Sequence, residues 1–157
     1  MRTPITRAFT FVEIMVVVVI VGVLAAIVVP QFGGVTEQAK TAAAEGGLGG
    51  VRAGIAGYRA KQLLAGNPPY PTVENLLALG VVMQTPMPVN PWSGIATIQA
   101  VSERSALSRT VTGSERYGWN YFVDNGSSPP RAIFYANTEQ STTVPDPSGG
   151  FKTANEL

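Results

Sequence analysis

The N-terminal part of the chain contains a long uninterrupted apolar run. Between Phe9 and Val29 there are 21 residues with a single charged side chain, that of Glu13. A helix of this length covers roughly 31 Å at about 1.5 Å per residue, which matches the thickness of a bilayer core. Because a single span in lipid must pair its backbone groups internally, the run predicts a membrane-spanning helix over residues 9–30.

The apolar pattern predicts that this helix continues beyond its proline. Pro30 lacks an amide donor and Gly22 lowers helical propensity, so a kink is expected near Pro30. An amphipathic continuation over residues 31–64 is predicted by apolar residues at spacings of three and four, namely Val35, Ala39, Ala42, Leu48, Val51, Ile55 and Tyr58. Glycines at 46, 47, 49, 50, 54 and 57 indicate either a helix break or close helix packing where side chains would not fit.

The chain becomes rich in turn signals after Leu64, which opens a small globular domain predicted over residues 65–140. A proline-rich turn precedes a short helix that Thr72 can cap. Strands are predicted over residues 95–101, 118–124 and 131–137, with the loop DNGSSPP joining the last two as a hairpin. The prediction is an α+β fold in which the long N-terminal helix packs on a small antiparallel sheet.

Two polar segments are expected to contribute little to that domain. The sequence predicts a polar, loosely held C-terminal tail over residues 141–157. A solvated loop is predicted for the charged positions Glu103, Arg104, Arg109, Glu115 and Arg116.

The distribution of charge predicts the orientation of the span. Arg2, Arg7 and the amino terminus precede it, whereas the first basic residue beyond it is Lys40, which places the N-terminus in the cytoplasm. Ordinary signal-peptide cleavage is not expected, because Ala26 is followed by Ile-Val-Val-Pro rather than by a polar mature start. The net charge of +1 gives no indication of nucleic acid as a primary partner.

The absence of cysteine and histidine narrows the chemistry available to the chain. It removes disulfides, thiol catalysis, histidine general bases and most transition-metal sites. A membrane-anchored enzyme would need Ser/Lys or carboxylate chemistry, and the sequence has no evident paired site. We therefore expect neither an enzyme nor a resident cofactor.

The residues around the start of the apolar run resemble the leader junction of type IV pilins and type II secretion pseudopilins. That family has a short basic leader, a small residue before the cut, phenylalanine after it and glutamate as the fifth mature residue, as in RAFTFVE from Arg7 to Glu13. Gly22 and Pro30 also match family positions, while Ala8 stands where glycine is usual. The resemblance implies a leader of residues 1–8, prepilin peptidase cleavage between Ala8 and Phe9, and N-methylation of Phe9.

The same resemblance implies a role for Glu13 in assembly. Cleavage gives Phe9 an ammonium that methylation leaves charged, four residues from Glu13 on one helix face. In a filament of parallel staggered helices, the carboxylate of one subunit can meet the ammonium of its neighbour, so an isolated subunit is expected to leave Glu13 poorly paired. The alternative is a glutamate that merely reaches the lipid headgroups.

Two later elements resemble those of secretion pseudopilins more than those of adhesive pilins. The first is Tyr70-Pro71-Thr72 followed by a leucine-rich stretch, and the second is PVNPW, in which Asn90 replaces the usual acid. The resemblance implies a pseudopilus subunit in the bacterial inner membrane, with its globular domain in the periplasm, that polymerises to help export folded proteins. Its implied partners are further copies, the peptidase, platform proteins and minor pseudopilins. Major pseudopilins bind calcium near the C-terminus, so the resemblance makes Asp124 and Asp146 weak calcium candidates, although Asp124 also lies in a standard turn sequence, Asp-Asn-Gly. The alternative is a major or minor type IV pilin of a surface fibre for adhesion, motility or DNA uptake.

Overall fold

The structure is a computed structural model that describes residues 9–114 and 117–157. Its helices are α1 (Phe11–Ala65), α2 (Val73–Leu77), α3 (Glu103–Leu107) and a closing 3-10 helix (Ala154–Glu156). Its strands are β1 (Ile98–Ala100), β2 (Trp119–Asp124), β3 (Arg131–Ala136), β4 (Ser141–Pro145) and β5 (Phe151–Thr153). This combination of a long N-terminal helix and a small, mostly antiparallel sheet confirms the predicted α+β, pilin-like fold class. The described residues divide into two compact units between Thr36 and Glu37.

The first unit is helical from Phe11 and exposes its apolar side chains. From Phe11 to Val29 every large apolar side chain is about half exposed or more. In the part of the chain that the structure describes, α1 is the one helix long and apolar enough to cross a membrane, and none of its apolar window is buried. This exposure distinguishes it from the core helix of a soluble domain. Pro30 lies inside α1, and the kink there stays a prediction.

The second unit has one apolar core, to which α1 contributes a narrow stripe. Ala44, Leu48, Val51 and Ile55 are all buried at spacings of three and four. Leu48, Val51 and Ile55 pack with residues from α2 and the sheet, namely Leu76, Ile98, Trp119, Tyr121 and Phe134. The predicted stripe is thus confirmed from Leu48 to Ile55, whereas its earlier members Val35, Ala39 and Ala42 are exposed.

The glycines of α1 do not break it. The helix runs through all six positions, so the helix-break interpretation is wrong. An added Cβ would lie 3.3 Å from Pro88 Cβ at Gly47 and 3.1 Å from the Val82 carbonyl at Gly54. At Gly46, Gly49, Gly50 and Gly57 it would meet nothing within 4 Å. Close packing therefore explains two of the six glycines, and the other four line the exposed side of the helix.

The main sheet is mixed rather than fully antiparallel. β2 and β3 form the expected hairpin, in register from Trp119↔Ala136 to Asp124↔Arg131. β1 pairs with β2 in parallel, with Ile98 opposite Trp119, so the antiparallel expectation is wrong for this strand. The reason is the connection between them, which includes α3 and is long enough for the crossover that parallel strands need.

The C-terminal residues are well held, so the expectation of a loose tail over residues 141–157 is wrong. β4 and β5 pair antiparallel, and Thr142, Ala154 and Asn155 are buried. Partners distant in sequence hold the segment. Thr143 N donates to Thr41 Oγ1 at 3.1 Å, and Asn155 Nδ2 donates to the carbonyl of Arg109 at 2.8 Å.

The charged stretch after β1 is also more ordered than predicted. Glu103 and Arg104 belong to α3, whose first turn is capped by Ser102 accepting from Ser105 N. Arg109 follows α3 with a positive φ of 49° and donates to the carbonyl of Asn155 and to a main-chain oxygen of Leu157, the last residue of the sequence. The solvated-loop prediction is therefore wrong for these three positions, while Glu115 and Arg116 lie outside the described residues.

Candidate assembly site at the start of the long helix

The start of α1 is a reciprocal capping box between Thr10 and Glu13. Glu13 Oε2 accepts hydrogen bonds from Thr10 N at 2.8 Å and from Thr10 Oγ1 at 3.0 Å. In return, Thr10 Oγ1 accepts from Glu13 N at 3.2 Å. These contacts satisfy amide groups that a helix start otherwise leaves without partners. The sequence signal for this arrangement is Thr-x-x-Glu before an apolar run, which places Thr10 beside Glu13 among the candidate functional residues.

The capping box corrects the expectation that an isolated subunit leaves Glu13 poorly paired. One carboxylate oxygen of Glu13 is already occupied by Thr10. Both donors are neutral groups, however, and the ion pairs within residues 9–114 and 117–157 are Lys40–Glu37 and Arg131–Glu103. The hydrogen-bonding capacity of Glu13 is thus partly satisfied inside the subunit, while its negative charge is not neutralised by any described residue.

The other predicted assembly residues lie around or along the same helix. Phe9 precedes the capping box with its side chain 81% exposed, while Ala8 lies outside the described residues. Gly22 is inside α1, and an added Cβ there would meet nothing within 4 Å. Within this chain, therefore, no close contact requires a glycine at position 22. The structure brings Thr10 and Glu13 together, and it places Gly22 and Pro30 further along the helix without contact to them.

The YPT element has a structural role in the second unit. Thr72 caps α2, because its side chain accepts from Asn75 N at 3.3 Å. The carbonyl of Pro71 accepts from the hydroxyl of Tyr121 at 2.9 Å, and burial raises the pKa of that hydroxyl. Asn125 accepts from Tyr70 N and donates to Tyr70 O, both at 2.9 Å. This element therefore ties α2 to the end of the β2–β3 hairpin.

The PVNPW element also has a structural role, which explains why an asparagine stands at position 90. Asn90 is fully buried, and its Nδ2 donates to the Gly118 carbonyl at 2.8 Å while its Oδ1 accepts from Trp92 N at 3.0 Å. An ionised aspartate would lack the donor that faces Gly118. Trp119 Nε1 donates to the Pro88 carbonyl at 2.7 Å, which fastens the same segment to β2.

Each of the two calcium candidates, Asp124 and Asp146, accepts hydrogen bonds from residues of its own turn. Asp124 Oδ1 accepts from Gly126 N at 2.9 Å and Ser127 N at 3.1 Å, and the Gly126 hydrogen bond is the main cause that lowers the Asp124 pKa. Ser148 lowers the pKa of Asp146 chiefly through its hydroxyl and then through its amide. No group of three potential ligands from His, Cys, Asp and Glu occurs within the described ranges. Calcium binding at either aspartate stays a prediction.

Comparison with curated proteins gives one informative similarity. The chain is 49% identical over 51 residues to the type II secretion system core protein G of Pseudomonas aeruginosa. The resemblance to the pseudopilin and pilin family is confirmed. The match covers 32% of this chain and 36% of the length of that relative. No protein-family model matches the chain, and no solved structure matches it significantly.

Proposed function

We propose that the chain is a structural subunit of a type II secretion pseudopilus, anchored in the inner membrane by α1 and polymerising through that helix. The observation that carries the proposal is the carboxylate of Glu13, which accepts hydrogen bonds from Thr10 but forms no ion pair with another described residue, at the start of an exposed apolar helix. The similarity to core protein G supports a secretion pseudopilus over a surface fibre. Within this proposal the subunit performs no catalysis.

The proposed mechanism begins with removal of residues 1–8 on the cytoplasmic side. The new Phe9 ammonium and the Glu13 carboxylate then lie at the same end of each helix. Thr10 engages only Oε2, so Oε1 and the negative charge remain for the ammonium of an adjacent, axially staggered subunit. In a nearly dry helix bundle such a pair is poorly screened, and each unpaired charge is costly to bury. Assembly is therefore favoured because each subunit supplies the counter-ion that its neighbour lacks.

The rest of the proposed arrangement follows from the charge asymmetry of the sequence. The leader faces the prepilin peptidase in the cytoplasm, and the second unit, from Glu37 onward, lies in the periplasm. Platform proteins and minor pseudopilins are the proposed assembly partners, and a cytoplasmic ATPase drives polymerisation through the platform.

Processing is the first testable consequence. Intact-mass measurement of membrane-extracted protein is expected to show loss of residues 1–8 and gain of one methyl group at Phe9. Ala8→Gly restores the usual family residue and should be processed at least as fully, whereas Ala8→Glu should retain its leader. A wild-type mass that still includes Met1–Ala8 in cells with active peptidase would contradict the processing step.

Deleting the gene in its natural host tests whether the chain forms a secretion pseudopilus or a surface fibre. Deletion is expected to leave normally secreted folded proteins in the periplasm, because the pseudopilus is missing, while surface fibres persist. Both compartments are measured by proteomics of periplasm and culture medium, with the wild-type gene in trans as the control. Normal secretion together with loss of surface fibres would instead assign the chain to a type IV pilus.

A further inference from the structure

A cavity of about 480 Å³ lies in the second unit, where the end of α1, the turn after it and the YPT element meet. Its volume falls within the range of about 300 to 1,000 Å³ that small-ligand sites occupy. The described residues that line it include four amides and two tyrosines, namely Tyr58, Gln62, Asn67, Tyr70, Asn75 and Asn125. None of the described lining residues is charged, so this amide cavity suits a ligand that is polar but neutral.

Hydrogen bonds between the lining residues hold three of the amides in place. Asn67 Nδ2 donates to Gln62 Oε1 at 2.9 Å, and Asn75 Nδ2 donates to the hydroxyl of Tyr58 at 3.3 Å. Each bond uses one polar atom of an amide and leaves the other without a partner among the described residues. These remaining atoms are Oδ1 of Asn67, Oδ1 of Asn75 and Nε2 of Gln62. The amide cavity thus presents oriented acceptors beside an oriented donor.

The two tyrosine rings give the amide cavity an aromatic surface. Tyr70 is held through its main chain, since Asn125 accepts from Tyr70 N and donates to Tyr70 O. Arg59 lies over the Tyr70 ring, with its guanidinium carbon 5.2 Å from the ring centroid, but it does not line this cavity. The Tyr70 hydroxyl has no hydrogen-bond partner among the described residues. The Tyr58 hydroxyl accepts one bond from Asn75 and can still donate, so both phenols are available to a ligand.

We propose that the amide cavity binds a neutral saccharide. A sugar ring carries hydroxyls that both donate and accept beside an apolar C–H face, so it requires donors, acceptors and aromatic surface close together. A peptide strand instead pairs its main-chain groups with the main chain of a sheet edge, whereas the free polar groups here belong to side chains. The site is separate from the Thr10–Glu13 capping box, and the proposal holds whether or not the chain forms a pseudopilus.

The saccharide can come from either of two sources that share this chemistry. One source is a soluble oligosaccharide. The other is the glycan chain of an insoluble polymer, which can reach the cavity because Asn67 and Thr72 at its lining are exposed.

Two neutral trisaccharides serve as probes, cellotriose and its N-acetylated counterpart tri-N-acetylchitotriose. The full chain is kept in a polyoxyethylene detergent, because detergents with sugar headgroups would compete for the site. Saturation-transfer NMR should show saturable binding of at least one trisaccharide. Added salt should leave the affinity unchanged, since none of the described residues that line the cavity is charged. N-acetyl-trialanine amide is the neutral peptide comparison and should bind more weakly than the trisaccharide.

Two substitutions test the lining residues. Gln62→Met keeps the length of the side chain and a good helix former while removing the free Nε2 donor. Tyr58→Phe keeps the ring and removes the hydroxyl. Each should lower the affinity for the trisaccharide about five-fold, the scale of one lost hydrogen bond. The matched control is Gln38→Met, the same change at an exposed position of α1 outside the cavity, which should bind as the wild type does.

Retention on insoluble chitin and cellulose distinguishes the two sources. If the ligand is a polymer, the wild-type chain should be retained and Gln62→Met should be retained less. If the ligand is a soluble oligosaccharide, the trisaccharide should bind while neither polymer retains the chain. The proposal would be overturned if neither trisaccharide bound saturably, if Gln62→Met and Tyr58→Phe both kept the wild-type affinity, or if Gln38→Met lost as much as they did. Tighter binding of N-acetyl-trialanine amide would overturn it in favour of a peptide site.

Discussion

Glu13→Gln subunits are expected to be processed and inserted in the membrane but to form few filaments. Glutamine can accept both Thr10 hydrogen bonds, because a capping box takes Gln as well as Glu at this position. The variant therefore keeps the cap and loses only the charge, which leaves the Phe9 ammonium of a neighbour without its counter-ion. Filament yield should fall by about a hundred-fold or more, the scale of removing one partner from a buried pair. Yield is measured by shearing and microscopy, beside the processed fraction by mass.

Thr10→Val is the matched control for the capping box. It keeps the size of the side chain and the charge of Glu13, and it retains the Thr10 N–H bond while removing the two bonds that use the hydroxyl. Its filament yield should fall by a few-fold at most, as expected for a weakened helix cap. Equal losses in Thr10→Val and Glu13→Gln would assign the role to the cap. Normal yield in Glu13→Gln would mean that Glu13 only marks the lipid boundary.

Gly118→Ala should be the most damaging glycine substitution in the second unit. An added Cβ would lie 2.0 Å from the carbonyl oxygen of Ile95 and 2.9 Å from its carbonyl carbon. These are main-chain atoms that cannot rotate away, and Gly118 is held on both sides by hydrogen bonds to Thr97 and from Asn137. We expect the free energy of unfolding to fall by about 3 kcal/mol or more, at the upper end for overpacked sites.

Gly49→Ala makes the same chemical change where space is available. Gly49 lies on the exposed side of α1 with nothing within 4 Å of an added Cβ, so alanine should stabilise the helix by up to about 1 kcal/mol. Urea unfolding of the full chain in nonionic detergent can be followed by tryptophan fluorescence, since both Trp92 and Trp119 lie in the second unit. Equal stability of the two variants would contradict the contact between Gly118 and Ile95.

The elements predicted correctly from the sequence are those whose signals are local. The apolar run specifies α1, Thr72 marks the start of α2, and alternation with a turn sequence specifies the β2–β3 hairpin. The parallel pairing of β1 was missed because strand direction depends on long-range pairing, here of Ile98 with Trp119, and not on the local alternation that marks a strand. The order of residues 141–157 was missed for the same reason, since Thr41 and Arg52 hold that segment from positions far away in sequence.

The contacts of the candidate functional residues also divide into those that the sequence signals locally and those that form only in the folded chain. The Thr10–Glu13 capping box was available in the sequence as Thr-x-x-Glu, because its partners are three residues apart. The buried hydrogen bond from Asn90 to the Gly118 carbonyl was not, because its partners are separated along the chain and meet only in the folded second unit. The sequence also left the glycines of α1 ambiguous, since their role depends on which side of the helix each one faces.

The most direct test of the intersubunit charge pair is a distance measurement in filaments of mixed labelling. Subunits carrying ¹⁵N-phenylalanine are co-assembled with subunits carrying ¹³C-glutamate, so that any coupling must arise between different copies. Solid-state NMR should then detect dipolar coupling between the Phe9 ammonium nitrogen and the Glu13 carboxyl carbon, consistent with an ion pair within about 4 Å. Well-formed filaments without this coupling, or with coupling only when both labels are in one subunit, would contradict the account.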